Sequence, residues 1–451
     1  MKRRSFALLL ILSLPITISG LSACHAKEPP EEKIKVAVVT TILRHRSHSD
    51  VILENFLLPY VFNGKEIDPR EKFEIASLYL DQVAGGREAP REKKDISQGV
   101  ARAFDIPIYE TIEEALCLGG EKLAVDAILI IAEHGNYPRN AKDQQLYPKK
   151  RFFDEMLAVF EKSGRVVPVY NDKHLSHSWN EAKTMYNQSQ SMGFALMASS
   201  SVPLAERKPA MEVPPESKIE EAILIHGGVI ETSNFHGLEA MQSILEWREG
   251  MESGVAEVQA LHGDALWEAA EQGLWSPNLA KAAMQTEFPD DTQSFKEMCA
   301  TRFPNSSFFG ILIHYKDGTR ATILKMSINS TGWYFACKIE DDPHPLATRF
   351  YTGPWRNRGL FPALSHAIQS LFQKGQSPYS LERTLMTSGL LAAAMESHSK
   401  GGVLLKTPQL EFSYQPVNFN SMREMGATWE IITKDMLRKK ELMRNLRKNG
   451  Q

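Results

Sequence analysis

Short unbroken apolar runs recur between positions 34 and 198, and helical patterns lie between them. The runs are 34–39 (IKVAVV), 73–80 (FEIASLYL), 125–131 (VDAILII), 166–170 (VVPVY) and 195–198 (ALMA). Runs without polar alternation belong to strands covered on both faces. The helical patterns fall at 51–58, 95–104, 111–118, 151–162 and 178–189. Phe152, Phe153, Met156, Leu157 and Phe160 recur at near-helical spacing in the fourth. Strands and helices in alternation join by right-handed crossovers. The chain must therefore open with a parallel, doubly wound α/β domain.

At 451 residues the chain has room for a second domain. Four prolines between 203 and 215 mark the boundary. Beyond it, strand runs follow one another at 218–225, 255–261, 308–314, 319–327 and 333–339. Lys316-Asp317-Gly318 is a hairpin turn between two of them. Helices fall separately at 237–249, 278–283, 360–373 and 381–397. This predicts an α+β domain with a mostly antiparallel sheet. Such a sheet, covered by helices on one face, leaves the other for a symmetric partner, so a homo-oligomer is expected. The first domain is placed at 34–210 and the second at 211–415. The segment 416–451 holds a basic tail helix over 429–448. A net charge of −3 gives no general drive toward nucleic acid.

The N-terminus reads as an export signal, 1–23. Lys2, Arg3 and Arg4 precede an apolar stretch, 6–18, too short and too proline-interrupted to span a bilayer. Arg3-Arg4-Ser5-Phe6 resembles the twin-arginine signal, and Leu21-Ser22-Ala23-Cys24 resembles a bacterial lipobox. Cys24 is then the lipidated first residue, and 24–33 is a polar tether. The expected location is periplasmic or otherwise extracytoplasmic, at a membrane. Cys117, Cys299 and Cys337 are an odd, widely spaced set that makes no disulfide framework. Cys117 and Cys337 are expected as small buried hydrophobes.

The chemistry concentrates where the 166–170 strand ends. Asn171, Asp172, Lys173 and His174 follow it at once. The carboxyl end of a strand in an open α/β sheet is where ligands bind. Ionisable groups beside a buried strand must pair or work. The plainer alternative is a solvated strand-to-helix turn. Asp172, His174 and His177 also lie close enough in sequence to suggest a zinc or manganese site, although the spacing is not diagnostic. Trp267, Trp275, Trp333 and Trp355 could stack on sugar faces or sit in the core.

Four segments carry a family resemblance. Residues 115–138 read as a helix, then Val125-Asp126-Ala127-Ile128, then the loop Ala132-Glu133-His134-Gly135-Asn136. Asp172-Lys173-His174 stands in the place of a Glu-Lys-Pro motif. Asn234-Phe235-His236-Gly237-Leu238-Glu239 stands in the place of a Gly-x-His-x-x-Asp motif. Tyr379-Ser380-Leu381-Glu382-Arg383-Thr384 resembles a late segment whose helix packs back on the first domain. In these places, and in element order over 34–409, the chain resembles the Gfo/Idh/MocA family of glucose–fructose oxidoreductases and inositol dehydrogenases. The resemblance implies a Rossmann-like domain that binds NAD or NADP, and a second domain that holds a small carbohydrate or polyol. It implies Lys173 and His236 as the acid–base pair at the reacting carbon, with His134 along the nicotinamide. It also implies Glu133, Asp172 and Thr40 as cofactor contacts. Asp81 ends the second strand, where a carboxylate takes a ribose hydroxyl and favours NAD over NADP; otherwise it is a turn former.

One turn departs from the family. Residues 40–50 contain no glycine. The side chains of Thr40, Thr41 and Ile42 hinder a pyrophosphate from reaching the backbone. Asp50 repels phosphate at a helix start, whereas Arg44, Arg46 and the two histidines of the turn, His45 and His48, could hold it through side chains. The family also often has an aspartate four residues before the second-domain histidine. Here Thr232 stands there, with Glu231 beside it. Two functions follow. The first is an NAD(P)-dependent oxidoreductase of carbohydrates or polyols. The second is a non-redox carbohydrate-binding protein, or a metal-dependent sugar-modifying enzyme, on the same fold.

Overall fold

A computed structural model describes residues 32–83, 94–304, 306–327, 332–354 and 359–433. The export signal, Cys24, Trp355 and the tail beyond 433 lie outside these residues. The first half runs β1 (Ile34–Thr40), α1 (His48–Leu57), the hairpin β2 (Tyr60–Phe62) and β3 (Lys65–Ile67), then β4 (Phe73–Leu80) and α2 (Ser97–Phe104). It continues with β5 (Ile108–Tyr109), α3 (Ile112–Cys117), β6 (Ala127–Ile131), α4 (Lys149–Ser163), β7 (Val169–Asp172), α5 (Trp179–Met192) and β8 (Leu196–Ser199). Among the described residues, six of these strands form a parallel sheet in the order β5-β4-β1-β6-β7-β8. Val36, Val38, Leu129 and Ile131 face one core, while Ala37, Val39, Ile128 and Ile130 face the other. The expected double cover is present.

The second half begins with β9 (Glu206–Lys208), β10 (Ile219–Gly227), α6 (Ile230–Leu245) and β11 (Val255–His262). Three short helices follow, α7 (Asp264–Glu271), α8 (Pro277–Gln285) and α9 (Phe295–Arg302). Then come β12 (Phe309–Tyr315), β13 (Arg320–Ser327), β14 (Trp333–Ile339), β15 (Leu346–Tyr351), α10 (Phe361–Lys374), α11 (Leu381–Ser399), β16 (Leu405–Lys406) and α12 (Thr428–Ile431). The second sheet has the order β16-β11-β12-β13-β10-β14-β15-β9 and is antiparallel except between β10 and β13. Gly318, at φ +94°, makes the expected hairpin turn. Cys117, Cys299 and Cys337 are buried free thiols. No described helix is long and apolar enough to cross a membrane.

Several boundaries move. α1 begins three residues earlier than its apolar pattern, because the Ser47 hydroxyl caps it by accepting from Asp50 N. β7 starts at Val169 and takes in Asn171 and Asp172, so the site residues lie on the strand itself. α6 begins at Ile230, which puts His236 inside a helix rather than before one. The tail helix is seen only as Thr428–Ile431. The sheet face expected to be free is covered. Ile223, Ile225, Leu312, Leu324 and Ala336 pack there against Leu266, Leu279, Phe295 and Met298 of α7, α8 and α9. The argument for a partner on that face loses its premise.

α11 ties the two sheets together. Thr384 Oγ1 donates to Ala198 O of β8 at 2.6 Å, and Thr387 Oγ1 to Glu239 of α6 at 2.6 Å. Gly389 allows close packing on α5, since a Cβ there would lie 2.8 Å from Trp179. Arg383, 1% exposed, sits 3.1 Å from Glu246 and 3.7 Å from Glu239. Burial lifts Glu246 to about 7, against the pull of Arg383. Arg383→Met would leave two buried carboxylates without their cation, a loss of about 3–5 kcal/mol. We expect a large fall in melting temperature; a midpoint within about 2 °C of wild type would refute this account of the inter-sheet contact.

Candidate functional site

In open α/β sheets the ligand crevice lies where the strand order reverses, here outside the ends of β1 and β6. Four elements bring side chains there: the start of α1, the loop after β6, the end of β7 and the first turns of α6. Glu133, just after β6, is buried and pairs with two ammonium groups. Lys149 lies 2.9 Å from Oε1, and Lys173 donates to Oε2 at 2.9 Å. Lys149 also donates to Asp172 O at 2.7 Å, which joins α4 to both strand ends. Burial alone would raise Glu133; the two lysines outweigh it and hold the carboxyl well below its usual range.

His134 and Lys173 both take left-handed backbone conformations, at φ +68° and +63°. For residues with a Cβ each costs about 1 kcal/mol or more, and such strain gathers at working sites. The His48 imidazole meets Asp172 at 2.6 Å, Nδ1 to Oδ2, and Tyr170 OH donates to the other oxygen at 3.1 Å. Burial would raise Asp172, but His48 holds it low. His48 lies 5.3 Å from the His134 ring and 5.2 Å from Phe361. Burial, then His48 and Lys173, push His134 down to about 3. His236 hydrogen-bonds Ser200 Oγ through Nδ1 at 2.6 Å and stands edge-on to Trp333. Burial, then Lys173 and His48, hold His236 well below the usual histidine range. Lys173, His48, His134 and His236 therefore share one electrostatic neighbourhood, in which His134 and His236 are held neutral.

The other expected residues fall elsewhere. Asp172 spends its oxygens on His48 and Tyr170, His174 packs against Phe235, and His177 lines a separate cleft beside Trp179. The suggested metal ligands are thus not brought together, and no three His, Cys, Asp or Glu among the described residues could hold a metal ion. Trp275 is core, and Trp267 packs on it. Glu231 turns to Gln145 N at 2.7 Å, so Ser200 rather than a carboxylate holds His236. Ser200 and Lys149 are not singled out by the sequence, and His48 is read there only as a phosphate contact, not as the partner of Asp172. The signal for His48 was the Ser47-His48-Ser49-Asp50 run, whose Ser-x-x-Asp spacing marks a capped helix start.

The crevice does not fit a dinucleotide in its usual pose. Thr41 N and Oγ1 donate to Ile131 O and Glu133 O, at 3.3 and 2.7 Å, and so sew the two loops together. Thr40 Oγ1 donates to Ile131 O at 3.0 Å. Ile42 and Leu43 are buried in the turn. At the start of α1, Ser47 takes Asp50 N, His134 takes His48 N, and the buried Asp50 carboxylate takes Arg46 N. The amides that would hold a pyrophosphate are spent, and a carboxylate occupies their positive end. Arg46 is exposed and Arg44 half-buried on the rim. On the ribose side Asp81 accepts from Tyr79 at 2.9 Å and Tyr137 at 2.6 Å, and pairs with Arg151. Gln82 and Asn136 exchange two further bonds across the same gap.

Burial lifts Glu231 to about 7, against the pull of Gln145 N–H. A carboxyl raised on folding favours the protonated native state, so its contribution is present below pH 4.5 and lost as pH rises through 7. Glu231→Gln should therefore reduce the fall in stability between pH 4.5 and 7, by about 2 kcal/mol. Chemical denaturation across that range measures it; parallel wild-type and variant curves would show that Glu231 is not raised.

No family model and no curated protein sequence matches this chain. Solved structures do. GenD2 from gentamicin A biosynthesis, in complex with NAD, matches with a TM-score of 0.51 at 12% identity, over 84% of this chain and 97% of that one. Myo-inositol 2-dehydrogenase from Lactobacillus plantarum gives 0.49 at 10% identity, over 83% and 99%. A probable dehydrogenase from Thermotoga maritima gives 0.48 at 13%, over 83% and 99%. Identity this low speaks to the fold alone, and on the first of these matches the chain carries, in divergent form, the two-domain fold of the Gfo/Idh/MocA family: a Rossmann-like domain followed by an α+β domain.

Proposed function

We propose that this chain is a non-redox acid–base enzyme on the Gfo/Idh/MocA fold, acting on a small carbohydrate or polyol. The observation that carries the reading is the 2.6 Å pair of His48 and Asp172, seated at the start of α1. A dinucleotide's pyrophosphate would otherwise lie there. A buried carboxylate that orients an imidazole makes a general base. Lys173 supplies a fixed ammonium for charge that develops on a substrate oxygen. His236, held by Ser200 and edged by Trp333, is a neutral imidazole in the same neighbourhood.

The rival reading is a nicotinamide-dependent oxidoreductase, and one observation favours it: the structural neighbour GenD2 holds NAD on this fold. Lys173 and His236 would then be its acid–base pair, and Asp81 would favour NAD over NADP by repelling a 2′-phosphate. Export through Arg3-Arg4 and lipid anchoring at Cys24 belong to the proposal too, and a chemistry free of dinucleotide suits a compartment where free NAD is scarce. Cys24→Ala should abolish fatty-acid labelling of the exported protein; equal labelling would remove the anchor.

Protein purified folded from an exporting host and then denatured should release no NAD(H) or NADP(H) by mass spectrometry. Calorimetry should show no binding at millimolar NAD. Stoichiometric release would overturn the proposal in favour of the oxidoreductase. On a substrate found by screening sugars and polyols, His48→Ala and Asp172→Asn should each lower kcat/KM by about a hundredfold or more. Unchanged rates would remove the pair from the mechanism.

A further inference from the structure

A second cluster of buried charge lies at the far end of α6 from the cleft. Arg207 on β9 and Arg423 in the C-terminal segment are 7% and 2% exposed. Arg207 Nη1 donates to Glu212 Oε2 at 2.8 Å, and Arg423 Nη1 donates to Glu212 Oε1 at 2.7 Å. One carboxylate thus serves two guanidinium groups. Its side chain is 56% exposed, so water screens much of its charge. The Nε atoms of both arginines are buried without a hydrogen-bond partner among the described residues. Burial, then Arg423, pushes Arg207 down to about 10.

Nearby groups do not balance the excess. Glu424 spends its carboxylate on Asn63 N, Gly426 N and Thr428. The negative end of α6 reaches the same place, but a helix terminus supplies only about half a charge. Beside Arg207 and Glu212 opens a cavity of about 160 Å³, lined also by Trp247, Asn418 and Asn420. The oxygens of these asparagines already accept, from Asn420 N and Arg423 Nη1. Among the described residues, no acceptor is recorded for their amide N–H groups.

We propose that a small oxyanion, a carboxylate or a phosphate, binds at the edge of this cavity where the Glu212 carboxylate now lies, between Arg207, which lines the cavity, and Arg423 behind it. Glu212 is the resident occupant. Being half-exposed, it can swing into water when a better-placed anion enters. Guanidinium groups suit planar or tetrahedral oxyanions, because their forked donors make parallel charge-assisted bonds. The asparagine amides complete the donor set.

The full chain is titrated with inorganic phosphate and, separately, with acetate, with sodium chloride at matched ionic strength as control. Calorimetry and the melting midpoint are the two readouts. Glu212→Gln removes the competing carboxylate from a half-exposed position, and should bind about tenfold tighter than wild type. Adding Arg423→Met to that variant should abolish saturable binding. Saturation by phosphate alone, or by acetate alone, supports the site and names its ligand. No saturable heat and no midpoint shift in Glu212→Gln with either anion overturns the proposal. So does a Glu212→Gln protein that binds no tighter than wild type. The Glu212→Gln arm decides the matter even where the arginine variant fails to fold.

Discussion

The site depends on one buried carboxylate. Glu133 is 2% exposed, and a charge so placed is tolerated only with close partners. It has two, Lys149 from α4 and Lys173 directly after β7. The arrangement fixes the ends of β6 and β7 against each other and presents an ammonium to the crevice. That ammonium has an electrostatic consequence. Together with burial it depresses His134 and His236, so both imidazoles are neutral at neutral pH. His48 differs in having its own buried carboxylate, Asp172. One fold thus holds imidazoles in two settings, and such differences in setting are what separate acid from base roles.

A site divided between two domains works only if the domains keep register. α11 supplies that constraint through hydrogen bonds to β8 and α6, through Arg383 between Glu239 and Glu246, and through Tyr379, whose hydroxyl donates to Ser199. Ser199 ends β8, and Ser200 beside it holds His236. The serine that anchors Tyr379 and the serine that holds the His236 imidazole are therefore neighbours along the chain. Geometry at His236 is set by the same contacts that join the sheets, which favours a site organised before substrate arrives.

The parallel sheet was legible because unbroken apolar runs have no other economical use. Lys173, His134 and His236 were legible through their motif positions, and the structure brings them to one crevice. His48 was legible only as a phosphate contact and not as the partner of Asp172, because comparison with a glycine-rich turn registers what is absent, and a serine–histidine–serine–aspartate run reads as solvated loop. The start of α6 was missed for a related reason. Thr232, Ser233 and Asn234 are weak helix formers, and tertiary bonds hold the turn: Gln145 to Glu231, and Asn234 to His226 at 2.8 Å. The cover on the second sheet was missed because α7 and α9 have eight residues each, too few to show a clear period. Arg207 and Arg423 lie more than two hundred positions apart, and only the fold shows that they meet at Glu212.

The turn between β1 and α1 has lost more than glycine. Replacing Thr41 by glycine would clear a side chain from the crevice and remove its bond to Glu133 O. It would leave the Ser47 cap on Asp50 N, the buried Asp50 carboxylate at the helix start, and His48 committed to Asp172. The ribose side would still be bridged by Asp81 with Tyr137 and by Gln82 with Asn136. Each of these contacts satisfies a polar group that burial would otherwise penalise, so none can be given up singly without cost. Together they form a self-satisfied surface where Rossmann domains keep unsatisfied amides for a phosphate. On the proposed function, a fold that closes its anion site from within, and seats an imidazole–carboxylate pair in the closure, exchanges a place for a cofactor for a place for a base.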